Sequence, residues 1–219
     1  LPEENVWRGE KAILSFDIWE SIRYQIVSSD QLWFSENDDF HYRFCMSLES
    51  GYSGGGYYLG AAEIRGKIYV FPGNAQHMLV IRDKKIKKIP LKKMIMHAGA
   101  FSGYIYTDRY IFLFPYQYPF LVRFNIDTEE ISYVAEAWSF NVRNIEGEWR
   151  AGGAGLVGNE IILSSPEDNH FMFLNIDSLE TRELCSHSKY NSGTLAIIPN
   201  GNDLWLLPYC GMTIVCWNP

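Results

Sequence analysis

The chain has 219 residues, 47% of them apolar and 16% aromatic, with a formal net charge of −7. That length and apolar content can build a full core in a single domain, residues 1–219, which excludes a disordered chain. The acidic balance argues against a nucleic-acid partner, because a phosphate backbone is held by clustered Lys and Arg.

Near the N-terminus, LPEENVWRGEK lacks the basic and apolar regions of a signal peptide, and no apolar run reaches the roughly 18 residues of a membrane span. The expectation is a soluble, cytoplasmic protein; because the chain begins at Leu1, export stays open. Lys11 to Phe16 (KAILSF) then reads as a spare strand.

From there one strand pattern recurs. Gln31 to Phe34 (QLWF), Lys67 to Pro72 (KIYVFP), Tyr110 to Pro115 (YIFLFP), Glu160 to Pro166 (EIILSSP) and Asp203 to Pro208 (DLWLLP) are five versions of it. Four end in proline, which cannot donate to a ladder and closes a strand cleanly. Pro72, Pro115, Pro166 and Pro208 stand 43, 51 and 42 residues apart, and Leu32 precedes Ile68 by 36.

Each copy has the same flanks. Before it comes a weakly polar strand of small residues: SIRYQIVS, YYLGAAEI, FSGYIYT, AGGAGLVG and GTLAIIP. After it comes a third strand, FHYRFCMSL, HMLVIRD, FLVRFNID, HFMFLNID and MTIVCWN. A charged turn (DKK, DTEE, DSLET) then leads to an outer strand such as KIKKIPL, EISYVAE or TRELC. Four antiparallel strands per unit, repeated every 40 to 50 residues or so, predict an all-β propeller of five blades. The blades cover about 19–50, 57–92, 99–136, 150–185 and 190–219. The last lacks an outer strand, which residues 11–16 could supply, closing the ring; the alternative is an excerpt of a six- or seven-bladed propeller.

The basic run RDKKIKKIPLKK, from Arg82 to Lys93, alternates Lys with Ile86, Ile89 and Leu91, as on the solvated face of an outer strand, where lysine also blocks edge pairing. The second reading is an anion or polyanion site. Cys45, Cys185, Cys210 and Cys216 have no C-x-x-C spacing and are expected as buried thiols.

The blades resemble those of divergent, kelch-like bacterial β-propellers, on the strand ending in Pro, the following strand ending in Asp or Asn, and the D-x-x-T-like turn. The resemblance covers Trp19 to Pro219. It departs from kelch in one place: Phe-Pro or Leu-Pro stands where a Gly-Gly pair is usual, and the glycine groups at Gly54 to Gly56 and Gly152 to Gly153 precede the innermost strand instead. What it implies is a binding or interaction module with its site at one mouth of the axial channel.

Function then rests on the loops that meet at that mouth. Between the second and third strands they read SENDDF, PGNAQH, PYQYPF, PEDNHF and PYCGM. Those entering the next innermost strand include LESGYSGGGYY, KMIMHAGAF, AWSFNVRNIEGEWRAGG and CSHSKYNSG. They are rich in Tyr, Trp, Asn, His and Arg, which suits a carbohydrate, peptide or protein ligand through stacking and adaptable hydrogen bonds. The candidate ligand-binding residues are Tyr58, Asn74, His77, His97, Tyr116, Tyr118, Trp149, Arg150, His170, Tyr190 and Tyr209. The long segment from Ala137 to Gly153 reads either as a lid over the site or as a flap covering a blade edge.

No catalytic residue, cofactor or metal is assigned. The five histidines show no H-x-H or H-E-x-x-H spacing, although His77, His97 and His170 fall near the presumed mouth. No nucleophile elbow or phosphate loop occurs. Glycosidase chemistry needs paired carboxylates at the channel, and the innermost strands carry almost none, Glu20 and Glu63 being nearest. A non-enzymatic binding module is the leading reading; the alternative is a glycan-acting enzyme, a glycosidase or lyase.

Overall fold

The structure, a computed structural model, describes residues 24–27, 31–35, 43–48, 57–92, 100–115, 118–134, 153–164, 170–185, 194–200, 203–208 and 214–217. It divides into two compact units, one of Leu1–Pro72 with His77–Leu91 and one of Gly73–Gln76 with Lys92–Pro219. Every regular element among the described residues is a β-strand, and the strand pairings among them are antiparallel.

The first unit holds β1 (Tyr24–Val27), β2 (Gln31–Phe34), β3 (Arg43–Ser47), β4 (Tyr58–Ile64), β5 (Lys67–Pro72), β6 (His77–Arg82) and β7 (Lys85–Pro90). They form one sheet in the order β3-β2-β1-β4-β5-β6-β7. The two halves, β1 to β3 and β4 to β7, are the first two sequence repeats, and a single register pair, Tyr24 with Ala61, joins their innermost strands. Two-residue hairpins make the turns at Arg65–Gly66 and Asp83–Lys84, all four with positive φ (52°, 73°, 50° and 61°). Such turns match the strand twist and are cheapest with glycine, which Gly66 supplies.

In the second unit, β8 (Phe101–Tyr106), β9 (Tyr110–Pro115), β10 (Leu121–Asn125) and β11 (Ile131–Val134) make a four-stranded sheet. A second comprises β12 (Ala154–Val157), β13 (Glu160–Ser164), β14 (His170–Asn175) and β15 (Thr181–Cys185). The third is β16 (Thr194–Asn200), β17 (Asp203–Pro208) and β18 (Val215–Trp217). These are the third, fourth and fifth repeats in their expected strand order. The proposed closing strand, residues 11–16, lies outside the described residues.

The sheets of this unit stack face to face. Tyr110, Phe112, Phe114 and Leu121 of the first sheet pack against Ile161, Leu163, Met172, Leu174 and Ile176 of the second. On the other face of that second sheet, Ile162, Phe171 and Phe173 meet Ile197, Leu204 and Leu206. Alternation along a strand explains the division: Ile161 and Leu163 point one way and Ile162 the other, so a strand buried on both faces reads as a continuous apolar run.

The innermost strands come closest. A Cβ on Gly153 would lie 2.6 Å from the Cα of Ala196, and one on Gly155 would lie 2.8 Å from Cγ2 of Ile197. Gly153 and Gly155, before the fourth core strand, are therefore needed for room. Ser164, buried, fastens the same junction: its hydroxyl accepts from the Gly153 N–H at 2.8 Å and lies 3.0 Å from the Thr194 carbonyl. The Ser164 N–H already donates to the Gly153 carbonyl at 2.9 Å. The single hydroxyl proton is thus best placed toward Thr194, across the junction.

Two turns are built alike. In N-I-D-T-E-E and N-I-D-S-L-E, Asn Oδ1 accepts from the N–H groups two and three residues further on, at 2.9 and 3.1 Å for Asn125 and at 3.0 Å twice for Asn175. The fifth residue of each, Glu129 and Leu179, takes a positive φ of 58° and 63°.

Cys45 and Cys216 are exposed, against the expectation of buried thiols. Both lie on the last described strand of a three-stranded group, and among the described residues no further strand pairs with either.

Two outcomes check this account. Gly153→Ala should cost about 1–3 kcal/mol or more in urea unfolding, since backbone must move, whereas Gly103→Ala, with Phe114 Cδ2 at an ordinary 3.7 Å, should be nearly neutral. Asn125→Ala and Asn175→Ala should each lose about 1 kcal/mol, and by similar amounts, because each strands the same two turn donors.

Candidate functional site

Antiparallel alternation puts the start of β4, the end of β5, the start of β6 and the end of β7 at one end of the second repeat. Tyr58 pairs with Pro72 and His77 with Pro90. Tyr58 and His77 therefore flank β5, two strand spacings or roughly 10 Å apart along the backbone. The tyrosine side chain bridges that gap: its hydroxyl and His77 Nε2 are 3.1 Å apart in a hydrogen bond whose direction follows the imidazole tautomer. The Tyr57 ring completes the cluster, edge-on to Tyr58 at 4.9 Å and to His77 at 6.3 Å between centroids. Tyr58 is buried, while Tyr57 and His77 are half-buried. The result is an aromatic surface with a hydrogen-bonded imidazole set into it.

A recurring irregularity shapes this end of the sheets. Tyr58 faces Pro72, Phe101 faces Pro115 and Thr194 faces Pro208, and in each case the inner strand carries a bulge directly after that pair. A proline offers no N–H to the inner strand, so the ladder is already interrupted there and an extra residue costs little. The bulge residues Leu59 and Ser102 are turned outward and exposed.

In the second unit the corresponding loops are tied to one another. The Gly73 carbonyl accepts from Ala100 and Phe101 N–H groups at 3.1 and 3.2 Å, and Tyr118 N–H donates to the Ala100 carbonyl at 3.0 Å. Asn74 Oδ1 also accepts from Ala100, at 3.3 Å. Tyr118 turns inward: it is buried, with its ring 4.8 Å from that of Phe101 and 6.1 Å from that of Phe120.

Of the sequence-derived candidates, Tyr58 and His77 thus meet directly, and Asn74 and Tyr118 meet through Ala100. His170 is placed by its backbone at the start of β14, opposite Cys185. His97, Tyr116, Trp149, Arg150, Tyr190 and Tyr209 lie outside the described residues. Tyr57 was missed; its signal was the Tyr-Tyr doublet opening the strand. Among the described residues no three His, Cys, Asp or Glu are grouped as a metal site. Glu63 is exposed, beside the hairpin at the opposite end of β4 from Tyr58.

On innermost strand β8, desolvation raises the Tyr104 phenol pKa above its ordinary value. The exposed Cys45 also has its thiol pKa raised, by desolvation first, with Lys84 acting in the opposite sense.

The architecture matches solved structures. A catalytically inactive variant of virginiamycin B lyase from Staphylococcus aureus, solved with quinupristin, aligns over 84% of this chain and 62% of its own, at 17% identity and a TM-score of 0.56. A chain of the nidogen/laminin complex aligns over 91% of this chain and 73% of its own, at 9% identity and a TM-score of 0.61. The fold is that of a β-propeller. The extracellular domain of a one component system from B. thetaiotaomicron aligns over 84% of this chain at 12% identity and a TM-score of 0.56, but this chain spans only 26% of its length. At these identities the likeness concerns the fold alone. No protein-family model and no curated protein matches the chain, and no helix among the described residues is long and apolar enough to cross a membrane.

The raised Tyr104 value carries a sign. A folded state that prefers the protonated phenol keeps its full stability at neutral pH and loses some as pH climbs from the ordinary value near 10 toward the folded one. Tyr104→Phe should therefore flatten the alkaline limb of a melting-temperature profile, and ultraviolet absorbance should show late tyrosine ionisation in the wild-type protein that is reduced in Tyr104→Phe.

Proposed function

We propose that the chain is a non-enzymatic binding module that holds a carbohydrate, peptide or protein ligand at the loop end of its sheets. The observation that carries this reading is the cluster of Tyr57, Tyr58 and His77. Its rings are held by edge-on contacts and by the Tyr58–His77 hydrogen bond, so little rotamer entropy remains to be lost on binding. A half-buried tyrosine offers a flat apolar face and a polar rim, which suits a sugar ring or a peptide side chain. The kelch-like character of the repeats and a cytoplasmic location belong to this same proposal. So does a single domain over residues 1–219, with the remaining candidates, His97, Tyr116, Trp149, Arg150, His170, Tyr190 and Tyr209, around the same mouth.

One observation favours the enzymatic alternative. A tyrosine hydroxyl and an imidazole nitrogen 3.1 Å apart can exchange a proton, as the acid–base pair of a lyase-type elimination would.

Glycan and peptide arrays, paired with a hydrolase and lyase screen, separate the two. The binding reading expects stable capture by the wild-type protein, weakened about ten-fold or more by Tyr57→Ala, the loss of one stacking face. Turnover that disappears in His77→Ala, with no stable capture, would replace it with the enzymatic reading.

A further inference from the structure

The first repeat turns an aromatic ring toward solvent, and it does so through an irregularity in its ladder. β2 pairs with β3 as Gln31 with Ser47 and Leu32 with Met46, then shifts, so that Trp33 faces Phe44 and Phe34 faces Arg43. Cys45 is the residue left over. In an unbroken register Trp33 would meet Cys45, and Phe44 would fall opposite Phe34, on the face that buries Leu32. The bulge reverses that placement, as bulges do when they re-aim a side chain. Phe44 is 53% exposed as a result, which forgoes much of the burial that a core position would give it.

Two rows of side chains share this face. In the first, the rings of the half-buried Trp33 and of Phe44 stand edge-on, 6.0 Å apart at 76°. In the second, two residues or roughly 7 Å along the strands, the half-buried Gln31 lies opposite the exposed Ser47. The rows are tied together, because Trp33 Nε1 donates to Gln31 Oε1 at 3.2 Å. An indole N–H can only donate, so this bond fixes the amide with its oxygen on the indole and its two NH2 donors directed elsewhere. Ser47 adds a hydroxyl that both donates and accepts. None of the four side chains is charged.

We propose that this face binds a neutral sugar ring. A pyranose has a face of C–H groups and a rim of hydroxyls. The C–H face would lie on the Trp33 and Phe44 rings, and rim hydroxyls would accept from the Gln31 amide and exchange hydrogen bonds with Ser47. A charged ligand finds no counter-charge in either row, and a wholly apolar one would strand the Gln31 donors. The face is built on β2 and β3, strands that carry none of Tyr57, Tyr58 and His77, and the proposal does not depend on that cluster.

The probes are cellohexaose, maltohexaose and mannohexaose, titrated into the intact protein and followed by saturation-transfer NMR, with hexagalacturonate as the acidic control. At least one neutral hexasaccharide should bind, with little difference between low and high salt. Phe44→Ala should weaken that binding about ten-fold at an unchanged melting temperature, the ring being more than half exposed. Gln31→Ala should weaken it about three-fold or more, the loss of one hydrogen-bonding group, and Tyr57→Ala should leave it unchanged. Failure of all three neutral sugars to bind would overturn the proposal. So would binding that Phe44→Ala or Gln31→Ala leaves intact, binding that Tyr57→Ala abolishes, and binding confined to hexagalacturonate.

Discussion

The closeness of the innermost strands governs much of what the second unit can be. Between β12 and β16 the backbone of one strand occupies the volume where a side chain of the other would begin, with a hypothetical Gly153 Cβ only 2.6 Å from Ala196 Cα. Strands of Val and Ile could not approach so far. Beside the innermost strands the demand is the opposite, and the sheets of this unit are spaced by large side chains, Phe112 and Phe114 of β9 and Met172 and Phe173 of β14. Small residues inside and aromatic residues outside are one requirement of wedge-shaped packing, seen at its two ends.

Energetics favour that stacking over the more visible polar contacts. Nine buried side chains form the junction between the sheets of β8–β11 and β12–β15, and each gains about 1.5–3 kcal/mol on full burial. The ion pair across the same junction, Arg109 to Asp177 at 3.1 Å, is about half exposed and contributes at most about 1 kcal/mol. The arginines do more by orientation. Arg123 donates to the Ile176 and Asp177 carbonyls at 3.1 and 2.8 Å, and the guanidiniums of Arg109 and Arg123 lie 5.0 and 4.8 Å from the Tyr110 ring. They fix which turn of one sheet meets which strand of the next, while burial supplies the free energy.

The repeat was legible because two of its parts follow from local chemistry. Proline at the end of β5, β9 and β17 and Asn-Ile-Asp at the ends of β10 and β14 need no distant partner to act, so their spacing alone set the strand order. The fourth repeat departs where chemistry departs: β13 ends at Ser164, and it is the Ser164 hydroxyl, in place of an aromatic side chain, that meets the neighbouring inner strand. The bulges were not legible, because the proline marks only where the ladder is interrupted, and which residue of the facing strand is left over is fixed by the register of the pair. The cysteines failed for a related reason. An apolar, strand-like context says that one face is buried, but Cys45 and Cys216 lie on strands with one side uncovered, and register alone decides which face each residue takes.

The candidate site divides along the same line. Tyr58 and His77 were chosen for residue type and loop position, and their meeting depends on a bridge across β5 that only the pairing register creates. Tyr118, chosen on the same grounds, turns inward against Phe101 and Phe120, since a tyrosine in a short loop between apolar strands gains more by covering the core than by facing water. Composition therefore marks which end of a sheet is rich in aromatic residues, and register selects which of them are buried. Tyr57 is available because it stands one residue before the strand begins, outside the alternation that buries Tyr58, while the buried neighbour and His77 hold its ring in place. A surface of that kind is built from the core outward, its half-buried ring packed edge-on against the hydrogen-bonded pair behind it.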